Sequence, residues 1–205
     1  MQVEIQYRIL VNQIKTLIMK KKKFLYLFIA LISVACKAQQ YSLNTDYENI
    51  PNNSHIKDLN NEYNKFVGTW KATLGNKEIY IYVTKQEDRL ISRLTKTFFR
   101  DVLLIRYKVL ISNQIVENTT SFTNENINII SMATEDNSVI FTYTGGKCTV
   151  GWGIISTEYI DSTHLKWNYQ PQSTMITNKN CPDYPAGGIK INLPDEPKDL
   201  IFTKQ

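Results

Sequence analysis

Two hydrophobic periodicities divide this chain. From Ser54 to Phe66 the apolar residues Ile56, Leu59, Tyr63 and Phe66 recur at spacings of three and four, which align them on one stripe of a helix. Ser54 stands in front of the run as a capping residue, so the pattern predicts a short amphipathic helix of about three turns. Beyond Phe66 the period drops to two. Glu78–Thr84 alternates Ile79, Ile81 and Val83 with Tyr80, Tyr82 and Thr84, as a strand with one buried face does. Similar β-branched and aromatic runs occupy Thr69–Leu74, Leu90–Phe99, Val102–Ile111, Ile115–Phe122, Ile127–Met132, Ser138–Thr144, Lys147–Thr157, His164–Gln170 and Leu200–Lys204. Turn residues punctuate them, notably Gly75-Asn76, Gln86-Glu87-Asp88 and Arg100-Asp101. With no alternating helix between strands, the pattern predicts an all-β antiparallel domain over 54–205, an up-and-down barrel or, alternatively, a β-sandwich. Gln172–Gly188 breaks the rhythm. Cys181-Pro182, Pro185 and Gly187-Gly188 make it a long loop. No internal repeat is visible.

The first 53 residues follow a different logic. Lys20–Lys23, the apolar run Phe24–Val34 and Ala35-Cys36 have the order of an export signal. The run is shorter than the ~20 residues a membrane-spanning helix needs. Signals of this kind begin with a short charged region, so 19–35 reads as the signal and 1–18 as an upstream extension. Val34-Ala35-Cys36 resembles the lipobox of bacterial lipoproteins, in which a peptidase cuts before an acylated cysteine. That resemblance implies a lipid on Cys36 and a membrane partner through it. Ser33 stands where that pattern prefers Leu, which keeps ordinary cleavage after Ala38, and secretion, as the alternative. Residues 36–53 are polar and rich in Asn, Tyr and Ser, and read as a flexible tether to the cell envelope. Which membrane face the domain occupies is not encoded here.

Charge and cysteine content sharpen the picture. The formal net charge is +5, but residues 1–36 hold six basic groups and one acid, and their removal leaves 18 basic and 18 acidic residues. A neutral remainder without a Lys/Arg cluster excludes a nucleic-acid partner, which requires a basic face. Outside the cytoplasm, Cys148 and Cys181 form an even pair and predict a disulfide. A zinc site would need more than His55 and His164 beside them, so no metal and no cofactor are expected.

At the first predicted strand the chain reads Phe66-Val67-Gly68-Thr69-Trp70-Lys71. A Gly-x-Trp there, behind a short helix, resembles the lipocalin and wider calycin group. The resemblance implies an eight-stranded barrel with Trp70 closing one end over Gly68, and a small apolar or amphipathic ligand inside. In that group an arginine on the last strand often covers this Trp, and here the last strand offers only Lys204. The whole layout also resembles small uncharacterised lipoproteins of Bacteroidetes type, a likeness that brings no activity with it. Two other occupants of the same fold stay open: an interior filled by side chains, and a glycan on exposed aromatics. Tyr143, Trp152 between Gly151 and Gly153, and the same-face pair Trp167 and Tyr169 are the candidate platform, although core packing uses the same residue types.

An enzyme is not expected. His55 and His164 fall on the predicted helix and beside a turn, and the pairs Glu87-Asp88, Glu135-Asp136 and Asp195-Glu196 fall in turns, where water keeps carboxylates ordinary. No nucleotide or metalloprotease motif occurs. The lipobox carries its own test: Cys36→Ala should abolish incorporation of radioactive fatty acid, and label that persists in the variant, or never enters the parent chain, refutes acylation at this position.

Overall fold

The computed structural model describes residues 19–21 and 39–205. Met19–Lys21 is helical and belongs to a unit, Met1–Gln39, separate from the folded unit Gln40–Gln205. Most of the expected export signal, and Cys36 with it, lies outside the described residues. Among the described residues no helix is long and apolar enough to cross a membrane.

Eleven strands form the folded unit: β1 Gln40–Ser42, β2 His55–Lys57, β3 Gly68–Leu74, β4 Lys77–Ser92, β5 Thr97–Ile111, β6 Gln114–Asn118, β7 Ile129–Glu135, β8 Ser138–Tyr143, β9 Gly153–Asp161, β10 His164–Pro171 and β11 Leu200–Lys204. Eight of them close an antiparallel barrel in the order β5-β4-β3-β11-β10-β9-β8-β7, with β7 returning to β5 at Leu104 and Ile130. The barrel reading therefore holds and the sandwich does not. β6 pairs with the end of β5 beyond that closure, and β2, with β1 behind it, pairs in parallel with the start of β5. The outer edge of β5 thus serves β2, β7 and β6 in turn.

Alternation fills the inside. β4 turns Ile79, Ile81 and Val83 inward, β5 contributes Leu103, Ile105, Tyr107 and Val109, and β10 supplies Leu165, Trp167 and Tyr169. These join Trp70, Phe141 and Phe202 in one contiguous buried cluster. Each large apolar side chain removed from water contributes roughly 1.5–3 kcal/mol. On the opposite face of β5, Val102 and Leu104 are also buried, under Ile127 and Ile130.

Several boundaries differ from the sequence pattern, each for a physical reason. β4 does not stop at Gln86-Glu87-Asp88. A bulge between Gln86 and Arg89 absorbs the polar triplet, with Asp88 at φ +49°, and the hairpin turns instead at Arg93–Lys96. Arg100-Asp101 is consequently mid-strand and buried. Asp101 tolerates this because its carboxylate accepts from Lys57 Nζ at 2.8 Å, Asp88 N at 3.0 Å and Asp58 N at 3.1 Å. At the other end of β6, Thr119 ends the run expected to reach Phe122 by donating its N–H to Tyr107 O. Lys147–Thr149 is a 3-10 turn, and the strand predicted from Lys147 starts at Gly153.

The helix expected over Ser54–Phe66 is also redistributed. A short 3-10 helix does precede the barrel, at Tyr47–Asn49, but His55–Lys57 is strand β2, drawn out by the open edge of β5. Residues 58–67 follow as successive turns and cross the lower end of the barrel, the end where β3 starts. Asp58 organises them, accepting from Glu62 N, Tyr63 N and Lys85 Nζ. Tyr63 reaches Ser131 on β7, and Phe66 meets Tyr159 on β9 edge to face. The apolar spacing thus built a plug. Residues 40–53, read as part of a flexible tether, are folded on the barrel: Leu43 and Ile50 are buried, and Arg100 donates to Leu43 O.

Trp70 is fully buried above this plug and donates its indole N–H to Phe66 O at 2.8 Å. Lys204 lays its ammonium 5.0 Å from the Trp70 ring centre, the position the calycin resemblance assigns to an arginine. Gly68 makes the contact possible. Its φ is +141°, and an added Cβ would come within 3.0 Å of Lys204 Cε. Gly68→Ala should therefore cost about 1–3 kcal/mol in urea unfolding and Lys204→Ala about 0.5–2 kcal/mol, with the double variant losing less than the sum. Strict additivity would show that glycine and lysine do not share this contact.

Candidate functional site

The candidate site lies at the upper end, opposite Trp70. There β7 joins β5 to β8, whereas β6, further up β5, has no strand on its other side. The wall parts between β6 and the end of β8. The Gly146–Val150 turn and the 185–192 segment close in over the gap and leave a cavity of about 280 Å³. The disulfide between Cys148 and Cys181, predicted from the cysteine count, ties the Gly146–Val150 turn to the chain just before the 185–192 segment, across 33 residues of sequence. On the chain-entropy account such a link contributes roughly 3–4 kcal/mol.

Glu117 of β6 is the polar centre of the cavity. Its Oε1 accepts the Tyr107 hydroxyl at 2.5 Å and its Oε2 accepts Asn192 Nδ2 at 2.8 Å. A carboxylate offers about four lone-pair sites, so acceptor capacity remains. Val116, Val150, Pro185, Ile189 and Ile191 provide apolar walls. Beneath Glu117, Tyr107, Tyr143 and Tyr169 stack edge to face at 6.4 and 6.0 Å. The Tyr107 and Tyr143 hydroxyls are 3.0 Å apart, and the Tyr169 hydroxyl donates to Gly151 O. Burial pushes the Lys77 ammonium nearby below its ordinary value, opposed by the charges of Asp195 and Glu117. None of the residues lining the cavity is Ser, Cys or His. The arrangement can hold a donor group against Glu117 and an apolar body against the walls.

The sequence-derived candidates are scattered relative to this site. Tyr143 lines it, and Tyr169 supports it from below. Trp167 is interior, its indole donating to Pro194 O at 3.0 Å and its ring packed on Phe202. Trp70 closes the far end. Only Trp152 is substantially exposed, at 45 %, with its indole N–H on Ser173 O. The glycines beside it do not exist to bare its ring: a Cβ on Gly153 would fall 2.1 Å from Gln170 O, so close strand packing requires that glycine. The four buried aromatics are core, and no shared platform forms. His55 is on β2, stacked on Phe99 and bonded to Asp88, and His164 sits at its turn edge against Asp161. Sequence reasoning missed Glu117, Asn192 and Tyr107. A lone acid behind Ile115-Val116 was the available signal for Glu117, and nothing marked Asn192.

Burial raises the hydroxyls of Tyr63, Tyr107 and Tyr169 above the ordinary tyrosine value of about 10 and pushes Tyr143 up to about 12. Unfolded, these groups would ionise near 10, so the unfolded chain binds fewer protons than the folded one above that pH. Stability is thus intact below about pH 10 and falls as pH rises beyond it. Absorbance titration should show these tyrosines ionising late, together with loss of near-UV circular dichroism. If all twelve tyrosines of the chain titrate near pH 10 with the fold intact, the buried column is wrong.

No curated protein and no solved structure matches the chain. Residues 19–205 match the family of unknown function DUF6705, and the chain belongs to that family.

Proposed function

We propose that this chain is an exported, lipid-anchored β-barrel protein that binds a small amphipathic molecule at the upper end of the barrel. The observation that carries the reading is Glu117: a carboxylate with unspent acceptor sites, fixed by Tyr107 and Asn192, in a cavity lined by apolar side chains and by Lys147 and Lys190. A concave apolar pocket with a few convergent polar groups is the usual form of a small-molecule site, and about 280 Å³ is close to the lower bound of roughly 300 Å³ for such pockets. Glu117 suits a hydrogen-bond donor, an alcohol or an amine, while Lys147 and Lys190 on the lining offer donors to an acceptor on the same molecule. Export is supported by the order of Lys20–Lys23, Phe24–Val34 and Ala35-Cys36.

A second reading, an envelope interaction protein with a filled barrel, is favoured by the aromatic core. Trp70, Trp167, Tyr107, Phe141, Tyr169 and Phe202 occupy the positions an internal ligand would need. The two differ in a thermal-shift experiment on the folded unit. Short-chain alkyl amines and alcohols should raise the melting temperature, and Ile189→Trp should remove the shift by filling the pocket. Ligand at a hundred times its Kd stabilises by about 2.7 kcal/mol. Absence of any shift at saturating probe, or a shift unchanged in Ile189→Trp, overturns binding at this site.

A further inference from the structure

The lower end of the molecule carries a surface that the cavity does not use. β4 and β5 run on past the barrel as a hairpin whose turn, Arg93–Lys96, presents Leu94 fully exposed at 107 %, with Leu90 at 57 % on β4 below it. Tyr47 from the 3-10 helix shares a concave surface with Arg93, Leu94 and Lys96, and the Arg93 guanidinium lies 5.9 Å from its ring centre. The 3-10 helix is held there by Lys96, whose ammonium donates to the carbonyls of Tyr47, Glu48 and Ile50. An exposed leucine, Leu94, an exposed tyrosine and an arginine at one tip combine apolar and interfacial side chains in the way membrane-surface segments do.

Register says where the chain enters this domain. Gln40 pairs with His55, His55 pairs with Phe99, and all three strands are parallel. The N-terminal end of β1 therefore points the same way as that of β5, toward the hairpin turn. Leu94 lies roughly 10–14 Å beyond the level of Phe99 at a strand rise of about 3.4 Å per residue. Only four residue steps separate Cys36 from Gln40, a reach of at most about 14 Å. The covalent tether is thus no longer than the hairpin it emerges beside.

We propose that the tip of the β4–β5 hairpin is a bilayer-contact surface: with Cys36 acylated, Leu94 and Tyr47 enter the interfacial layer and Arg93 meets lipid phosphate. The inference rests on the lipid-anchor reading and fixes the orientation that reading leaves open, with the Glu117 cavity facing away from the membrane. Asp46 and Glu48 balance the basic residues at the tip, so contact depends on apolar insertion more than on anionic lipid.

The full chain, processed in a lipoprotein-maturing bacterial host and reconstituted in phosphatidylcholine vesicles, tests this. With Cys36 acylated and Cys148 bridged to Cys181, an introduced cysteine is the single reactive thiol. An environment-sensitive fluorophore on Leu94→Cys should shift to the blue and be quenched by headgroup-nitroxide lipid, while the same label on Gln114→Cys, at the upper end, should do neither. Protein that floats with vesicles while both labels stay equally unquenched overturns the hairpin contact and leaves the anchor intact. Protein that carries no acyl group and does not float overturns both. A Leu94→Cys label shielded without vesicles reports self-association of the tip and likewise overturns the proposal. Leu94 is fully exposed, so an unchanged melting temperature confirms that the labelled variant is folded.

Discussion

The architecture depends on how one strand disposes of its outer edge. Buried backbone N–H and C=O groups must be paired, and while β4 covers one edge of β5 along its whole length, no single strand covers the other. Three strands share it: β2 at Phe99 and Arg100, β7 at Leu104, and β6 from Lys108 to Ile111. Closure through β7 turns an open sheet into a barrel and removes most of the free edge that would otherwise invite aggregation. Because β7 covers only the middle of β5, both ends of that strand recruit something else.

The two features of functional interest grow from those two ends. Above the closure, β6 continues the wall without a partner on its far side, and the gap admits the 185–192 segment, pinned by the disulfide, with Glu117 and Asn192 facing each other across it. Below the closure, β2 and β1 pair onto β5 and bring the N-terminal segment beside the hairpin turn. The buried carboxylates Asp58 and Asp101 hold this lower region together. Each is compensated by a lysine and by backbone N–H donors, without which burying the charge would cost several kcal/mol. The proposed binding site and the proposed bilayer-contact end, at opposite poles, both grow from one closure pattern.

Much of the fold was legible because its cause is local. Strands β3, β8, β10 and β11 match the alternating runs to within a residue or so at each end, since a period of two with one buried face leaves little choice. Gly68 and Trp70 were readable as a pair, and the structure adds the Lys204 ammonium over the Trp70 ring. The failures share a cause. Ile56, Leu59, Tyr63 and Phe66 have helical spacing, yet β5 needed an edge partner and the barrel needed a plug, so tertiary demand overrode local period. Arg100-Asp101 looks like a turn until Lys57 and Asp58, more than forty residues earlier in the chain, arrive to neutralise the aspartate.

Alternation, neutral charge after Cys36 and the paired cysteines are properties of the string itself, and they determined an antiparallel β domain, its disulfide and the expectation of export. Where the barrel closes, which aromatics are core, and that Glu117 meets Asn192 from 75 residues away were decided only by the folded molecule. The physical reason is separation: side-chain period encodes what each residue does to its own strand, whereas cavity walls and buried charge pairs are made by residues that share no local pattern.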